Sequence, residues 1–272
     1  MDEKVEKRER AAMRTVKIRE VIEETNKIKT FILNAEISAM PGRFIMCWIP
    51  GLDEKPMSLS YTEGYIGVTV LEVGPFTGKM MTMKEGELLG FRGPLGRGFK
   101  VTGDKILTIG GGVGVAPLAP LADKALKEGR DVTAIIGALS ASGILFAERM
   151  EKAGARVLIT TDDGSAGMKG FTTDALKKLL EEESFDQCFT CGPEIMMYKV
   201  LQQTKGRIPT QACVERYFKC GIGVCGQCIL DKNGLRVCKE GPVFRDKELE
   251  TGEFGRYHRN ASGLKESFGW VK

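Results

Sequence analysis

A chain of 272 residues is long enough for about two domains of ordinary size. Its 42% hydrophobic and 28% charged residues suit a globular chain, and a formal net charge of +4 is too mild for a nucleic-acid surface. The only histidine is His258, which excludes most imidazole acid–base and nucleophile-activating chemistry and leaves a catalyst of this composition dependent on a cofactor.

In chain order, residues 1–13 form a charged lead, expected to be flexible. The start MDEKVEKRERAAMR lacks the apolar stretch of a secretory signal, and no run of about 18 apolar residues marks a membrane span. The expectation is a cytoplasmic, reduced protein with no membrane partner, in which the eight cysteines are not a disulfide framework. Residues 14–102 hold short β-type runs (TVKIREVIEE, IKTFILN, GRFIMCWIP, PMSLSY, YIGVTVLEV, GELLGFRGP) separated by turn residues, with one helix-like piece, GKMMTMKEG. That spacing predicts a small antiparallel barrel or sandwich.

Residues 103–209 alternate strictly: KILTIGGG, DVTAIIGAL, ARVLITTDDG and FDQCFTCGP read as strands, each followed by a helical segment. Alternation of this kind predicts a doubly wound parallel sheet with helices on both faces. Residues 210–245 add one strand-like segment, IPTQACVERY, and a cysteine-rich loop with GQCILDKNGLRVC as a hairpin turning at Asn233-Gly234. Residues 246–272 are polar and glycine-containing, and are expected to be a surface extension. The fold class expected is therefore β plus α/β, with a small C-terminal loop module.

The cysteine loop carries the most specific chemistry. Cys220, Cys225 and Cys228 stand in C-x4-C-x2-C spacing, and Cys238 follows with nine residues between. This is the spacing of a plant-type [2Fe–2S] centre, and Gly221, Gly223 and Gly226 allow backbone amides to turn toward sulfur. A zinc site or separately buried thiols are the plainer alternatives, although zinc more often shows two C-x2-C knuckles or a Cys/His mixture.

GGGVGVAPL places Gly110, Gly111, Gly112, Gly114, Ala116 and Pro117 between a strand and a helix, where amides can meet a phosphate. A tight strand–helix turn would use the same residues. Two more strand ends point to the same crevice: TTDDGSAGMKG with Asp162 and Asp163, and TCGPEIMM with Cys191, Gly192 and Pro193. Cys188 and Cys191 imitate a metal knuckle, but Cys188 falls inside a predicted strand. Cys47 and Cys213 read as buried small hydrophobes. In the β domain, Ser58, Ser60 and Thr77 offer hydroxyls and Gly78 an amide to a flavin or its phosphates; Pro-x-Ser is also common in strands that bind nothing.

The order of these parts resembles the ferredoxin–NADP reductase superfamily. The nearer resemblance, over about residues 14–245, is to electron-transfer subunits of NAD-dependent class 1B dihydroorotate dehydrogenases. PMSLS, GPLGRGF, GGGVGVAPL, TDDGSAGMKG, TCGPEIMM, CGIGVCGQC and VCKEGPVF carry it. The resemblance implies FAD along Pro56, Met57, Ser58, Leu59 and Ser60, with Val70, Leu71, Glu72, Phe76 and Thr77 contacting the rest of the cofactor. It implies NAD(H) at the glycine loop and the Cys191-Gly192-Pro193 turn, and a [2Fe–2S] cluster on the four cysteines. Many relatives have arginine before the Pro-x-Ser where this chain has Lys55, and lysine lacks the bidentate fork.

The implied function is passage of electrons from the FMN of a separate dihydroorotate dehydrogenase catalytic subunit, via [2Fe–2S] and FAD, to NAD+ in de novo UMP synthesis. The implied assembly is a heterotetramer with two of each subunit, and the lone subunit is expected to act as a diaphorase. NAD is favoured over NADP because IIGALSASG has no basic residue until Arg149. Related flavin/iron–sulfur subunits of hydrogenases, sulfide dehydrogenases or bifurcating transhydrogenases share the same motifs. A non-catalytic metal-binding regulator is the alternative of a different class.

Overall fold

Six strands close into an antiparallel barrel: β1 (Arg14–Thr25), β2 (Ile28–Glu36), β3 (Phe44–Ile49), β4 (Asp53–Tyr61), β5 (Tyr65–Leu71) and β6 (Leu88–Leu95), in the order β1-β2-β5-β4-β3-β6. The computed structural model describes residues 12–250 and 252–268, so most of the 1–13 lead lies outside the described residues. Ile18, Phe31, Leu33, Ile45, Leu59, Ile66, Val68 and Phe91 fill the barrel. Each such side chain contributes about 1.5–3 kcal/mol on full burial, and closure removes the open strand edges. Helix α1 (Pro75–Met81) follows β5 and starts earlier than the helix-like piece read from GKMMTMKEG. Pro75 suits its first turn, and Thr77 closes the turn by accepting N–H bonds from Val73 and Gly74 at 2.8 and 3.0 Å.

The second sheet has seven strands: β7 (Lys105–Gly111), β8 (Asp131–Ala138), β9 (Arg156–Thr161), β10 (Met168–Lys169), β11 (Gln187–Cys191), β12 (Thr210–Cys213) and β13 (Val243–Arg245). Their order is β10-β9-β8-β7-β11-β12-β13, parallel except for β13. Residues alternate between faces. Ile106, Ala134 and Ile136 pack under α2 (Ala119–Lys127) and α3 (Ala147–Ala153). Leu107, Ile109 and Ile135 pack under α4 (Thr172–Glu182) and α5 (Glu194–Thr204). The strand order reverses at β7, with β8 on one side and β11 on the other, which makes the carboxyl ends of β7 and β11 the natural ligand crevice.

The sheet runs past the boundary expected at residue 209. β12 pairs with β11, and β13 covers the outer edge of β12, so the segment from 214 to 242 is a loop set between two strands of the nucleotide-type sheet. The expected hairpin survives as one bridge, Ile229 with Arg236, because Lys232 and Gly234 both take positive φ and use the chain in turns.

The C-terminal segment corrects the expectation of a plain surface extension. It forms α6 (Asp246–Leu249) and a hairpin of β14 (Tyr257–Arg259) and β15 (Lys265–Ser267). Leu249, Glu253 and Phe254 are buried. Glu253 and Glu194 both pair with Arg216, whose side chain is 3% exposed, which ties this segment to the start of α5.

Candidate functional site

At the switch point, the two strand-end turns touch backbone to backbone. Cys191 is in register with Gly110 on β7 and with Cys213 on β12. Gly112 takes φ 54° and opens a short 3-10 turn over Gly112–Val115. A Cβ on Gly114 would stand 2.5 Å from the Cys191 carbonyl oxygen and from the Gly192 Cα, and one on Gly111 would meet the Met196 sulfur at 2.8 Å. Gly192, at φ 144°, in turn lies against the Gly111 backbone. These glycines permit a close approach of two loops, leaving Gly110, Ala116 and Pro117 buried beneath.

Cys191 and Cys188 face opposite sides of β11, since Cys188 packs with the α4 and α5 layer and Cys191 with the α2 layer. They do not form a knuckle. Burial pushes the Cys188 thiol up to about 12, and a hydrogen bond to Cys213 together with burial pushes Cys191 up. Asp162 and Asp163 are exposed on the loop after β9. Asp163 accepts the Ser165 hydroxyl and N–H at 2.6 and 2.9 Å, which holds its carboxyl below the usual range. The Ser165 hydroxyl also receives the Ala141 N–H at 2.7 Å, joining this loop to the end of β8.

On the barrel side, Lys55, Pro56, Met57 and Ser58 are half-buried along β4, whereas Leu59 and Ser60 are buried. Leu59, Val70 and Phe76 pack inside the barrel, and the Ser60 hydroxyl accepts from Thr69 at 2.8 Å. Thr77 is likewise committed to its own turn, as its hydroxyl donates to the Gly74 carbonyl at 3.1 Å. Five of the residues expected along a flavin thus have side chains turned to other work: strand alternation sends Leu59 and Val70 into the barrel, Phe76 packs there from α1, and the hydroxyls of Ser60 and Thr77 are spent on local hydrogen bonds. Leu71 packs against the apolar cluster that includes Val115, and the end of β5 meets the turn Gly112–Val115 of the glycine loop; exposed Glu72 and half-buried Gly78 follow it. Lys55 bonds Asp53 at 2.6 Å and lies 5.4 Å from the Tyr217 ring centre.

In the cysteine loop the thiols group in twos. Cys220 neighbours Cys225, and Cys228 neighbours Cys238. Among the described residues no three His, Cys, Asp or Glu side chains gather around one point, as a mononuclear site would need. A two-plus-two grouping fits a binuclear centre held by four cysteines. Backbone N–H groups of Val224 and Cys225 point at Cys220 Sγ at 3.3 and 3.4 Å, that of Gly223 at Cys238 Sγ at 3.2 Å, and that of Cys238 at Cys228 Sγ at 3.4 Å. Burial raises the Cys220 thiol, but these amides outweigh it and bring it to about 6. Cys228, hydrogen-bonded by Cys238, falls to about 7, while Cys238 is held up by the same bond. Cys220 and Cys228 thus favour thiolate, the form that binds metal.

Sequence reasoning missed the residues that join these parts. Arg92 of β6 grips Glu54 of β4 with two bonds, 2.6 and 2.9 Å, and donates to the Cys220 carbonyl at 2.7 Å. The GPLGRGF turn docks on the GPVF turn: Arg97 donates to the Val243 carbonyl at 2.7 Å and pairs with Glu248. Arg149 of α3 pairs with Asp123 at 2.6 Å, donates to the Ser60 carbonyl at 2.8 Å, and lies over the Tyr61 ring, fixing α3 against the barrel. Each pair is distant in sequence, and isolated arginines carry no motif.

Comparison with known proteins agrees with this geometry. Residues 215–250 match a profile described as the iron–sulfur cluster binding domain of dihydroorotate dehydrogenase B, and residues 108–202 match an oxidoreductase NAD-binding domain. The chain is 48% identical over 251 residues to a Methanocaldococcus jannaschii protein named "Probable dihydroorotate dehydrogenase B (NAD(+)), electron transfer subunit", covering 92% of this chain and 96% of that one. A protein of the same name from Methanothermobacter thermautotrophicus is 46% identical over 257 residues, with the same coverage. Among solved structures, that of an NADH-dependent reduced ferredoxin–NADP oxidoreductase, described in terms of flavin-based electron bifurcation, superposes with a TM-score of 0.77 at 32% identity. It covers 86% of this chain and 88% of that one. Among the described residues no helix is long and apolar enough to cross a membrane.

Proposed function

Because the chain belongs to the family of dihydroorotate dehydrogenase B electron-transfer subunits, we propose that it passes electrons from the FMN of a dihydroorotate-oxidising partner to NAD+. The observation that carries this reading is the convergence on one barrel. The end of β5 abuts the glycine crevice, and β4 is tied through Arg92 to the cysteine loop. When bound, a flavin supplies the exchange between hydride and single electrons, and a [2Fe–2S] centre supplies the one-electron relay.

The protein's own residues bind and orient. Cys220, Cys225, Cys228 and Cys238 hold the cluster, and the amides of Gly223, Val224, Cys225 and Cys238 donate to the sulfurs, an arrangement that stabilises negative charge. Lys55 through Ser58 present the accessible part of β4 to FAD. Leu59, Ser60, Val70 and Phe76 shape that strand pair from within. Leu71 and Glu72 continue the surface, and the turn of Thr77 and Gly78 lies toward its pyrophosphate, with the Gly78 N–H donated to the Gly74 carbonyl at 2.7 Å. The close-packed turns at Gly110 to Pro117 and Cys191 to Pro193 receive the pyrophosphate and nicotinamide of NAD(H), with Asp162 and Asp163 on the rim. No side chain of this subunit is asked to move a proton in dihydroorotate oxidation, so that step belongs to the partner. The assembly is a cytoplasmic heterotetramer with two of each subunit.

The likeness to the ferredoxin–NADP oxidoreductase supports a second reading, a subunit of a flavin-based bifurcating enzyme. An anaerobic visible spectrum before and after NADH tests the core of both. Flavin bands with a thiolate–iron shoulder, all bleached by NADH, are expected; a colourless zinc protein would overturn the reading from the cysteine loop outward. Addition of the FMN subunit separates the two readings, since dihydroorotate should then reduce NAD+. Dihydroorotate-dependent flavin reduction by this chain alone would contradict the division of labour.

A further inference from the structure

We propose that Arg92, ion-paired with Glu54, is a positioning residue that seats the cysteine loop on the flavin-bearing strand and sets the electrostatic surroundings of Cys220. The inference rests on the reading of that loop as a cluster site. Its basis is a chain of contacts between elements far apart in sequence. Arg92 Nε and Nη2 take the two carboxylate oxygens of Glu54 side by side, and Nη2 also donates to the Cys220 carbonyl. The Arg92 and Glu54 side chains are 11% and 22% exposed, so water screens the pair only partly.

The fork geometry explains why arginine stands here. A planar guanidinium can satisfy a carboxylate with one edge and keep a further N–H for a carbonyl, whereas an ammonium is a point charge with no fixed plane. Beside this clamp, Gly221 lies so close to β3 that a Cβ would meet Met46 Cγ at 2.9 Å. Met46 is in register with Pro56 on β4 and with Arg92 on β6. The first cluster cysteine therefore rests on a strand directly bonded to the one that carries Pro56, Met57 and Ser58. The residue after Glu54 adds a second strap, as Lys55 reaches Tyr217, three positions before Cys220. Successive residues of β4 thus hold the segment that leads into the cluster, and a rigid strand fixes the spacing between carriers. The charge at the clamp is balanced, +1 against −1, next to a cysteine whose sulfur is to carry electrons.

Removing either partner leaves a charge of opposite sign near Cys220, and cluster potentials follow local charge and hydrogen bonding. The test is spectroelectrochemical titration of the cluster in the FAD-loaded chain, wild type against Arg92→Met, Arg92→Lys and Glu54→Gln, with the EPR signal of the reduced cluster recorded alongside. Arg92→Met, which leaves Glu54 uncompensated, should move the cluster midpoint to more negative potential. Glu54→Gln, which leaves Arg92 uncompensated, should move it to more positive potential. Arg92→Lys should restore most of the midpoint but not the flavin-to-cluster transfer rate, which needs the fork. A clamp that serves folding alone would lower thermal stability while leaving the midpoints of the folded variants unmoved or moved in one direction, and that result would overturn the proposal. If the wild-type chain holds no iron, the cluster reading itself fails, which is visible before any variant is made.

Discussion

Gly114 lies against Gly192 with no room for a side chain between them: a Cβ on the first would stand 2.5 Å from the Cα and the N of the second. One residue belongs to the glycine loop after β7 and the other to the turn after β11, and their contact forms the floor of the switch-point crevice. Gly114→Ala must push the turns apart, since both colliding partners are backbone. Overpacking of this kind costs about 1–3 kcal/mol. The expected outcome is a chain that retains flavin but loses most of its NADH-driven flavin bleaching, measured by anaerobic stopped flow. Full-rate bleaching in the alanine variant would show that the contact is dispensable.

Arg216 is buried between Glu194 and Glu253, which are 7% and 1% exposed. Glu194 also accepts the Gly255 N–H at 2.7 Å, and Glu253 that of Asp231 at 3.0 Å. Arg216→Met would strand two buried carboxylates, and breaking a buried ionic network from one side costs about 3–5 kcal/mol. Chemical denaturation should show that loss, with the Glu253→Gln variant falling between it and wild type. Wild-type stability in Arg216→Met would mean that water already reaches the site.

The Tyr257 hydroxyl, followed by Arg259 and Lys265, holds the Asp231 carboxyl down at about 2. A carboxylate depressed in the folded state contributes stability above its unfolded value of about 4 and loses it as pH falls through the folded value. Between about pH 4 and 2 the β14–β15 hairpin should therefore loosen, an effect limited by the partial exposure of the pair. Hydrogen exchange of the hairpin amides across that window checks it. Asp231→Asn should make the hairpin loose at pH 7 and remove its share of the pH dependence.

Arg149, the first basic residue after the end of β8, is engaged by Asp123 and the Ser60 carbonyl and stacked on Tyr61. It is thus not offered to a 2′-phosphate, whose binding calls for an arginine at that strand end. Diaphorase assays should favour NADH over NADPH by at least about tenfold in kcat/KM, a difference of roughly 1.4 kcal/mol in transition-state stabilisation. Equal values for the two nucleotides would contradict this assignment.

Local patterns made the outline legible. Alternation of strand and helix over residues 103–209 requires a parallel sheet, because each helical crossover returns the chain to the same edge direction. Spacing alone singled out Cys220, Cys225, Cys228 and Cys238, since a loop with glycines at 221, 223 and 226 has few other uses for four thiols. Which side of a strand a residue faces was beyond that reach. Ser60 and Thr77 look like ligands in sequence, yet their hydroxyls serve Thr69 and the turn before α1. The return of Val243–Arg245 to the sheet, and the burial of Glu253 under a polar-looking tail, depend on partners dozens of residues away. The same holds for Arg92, Glu54 and Cys220, which come from two barrel strands and a distant loop. Sequence periodicity and spacing encode contacts within a few residues, whereas these bonds exist only after closure of the barrel and sheet has brought separate segments within hydrogen-bond range.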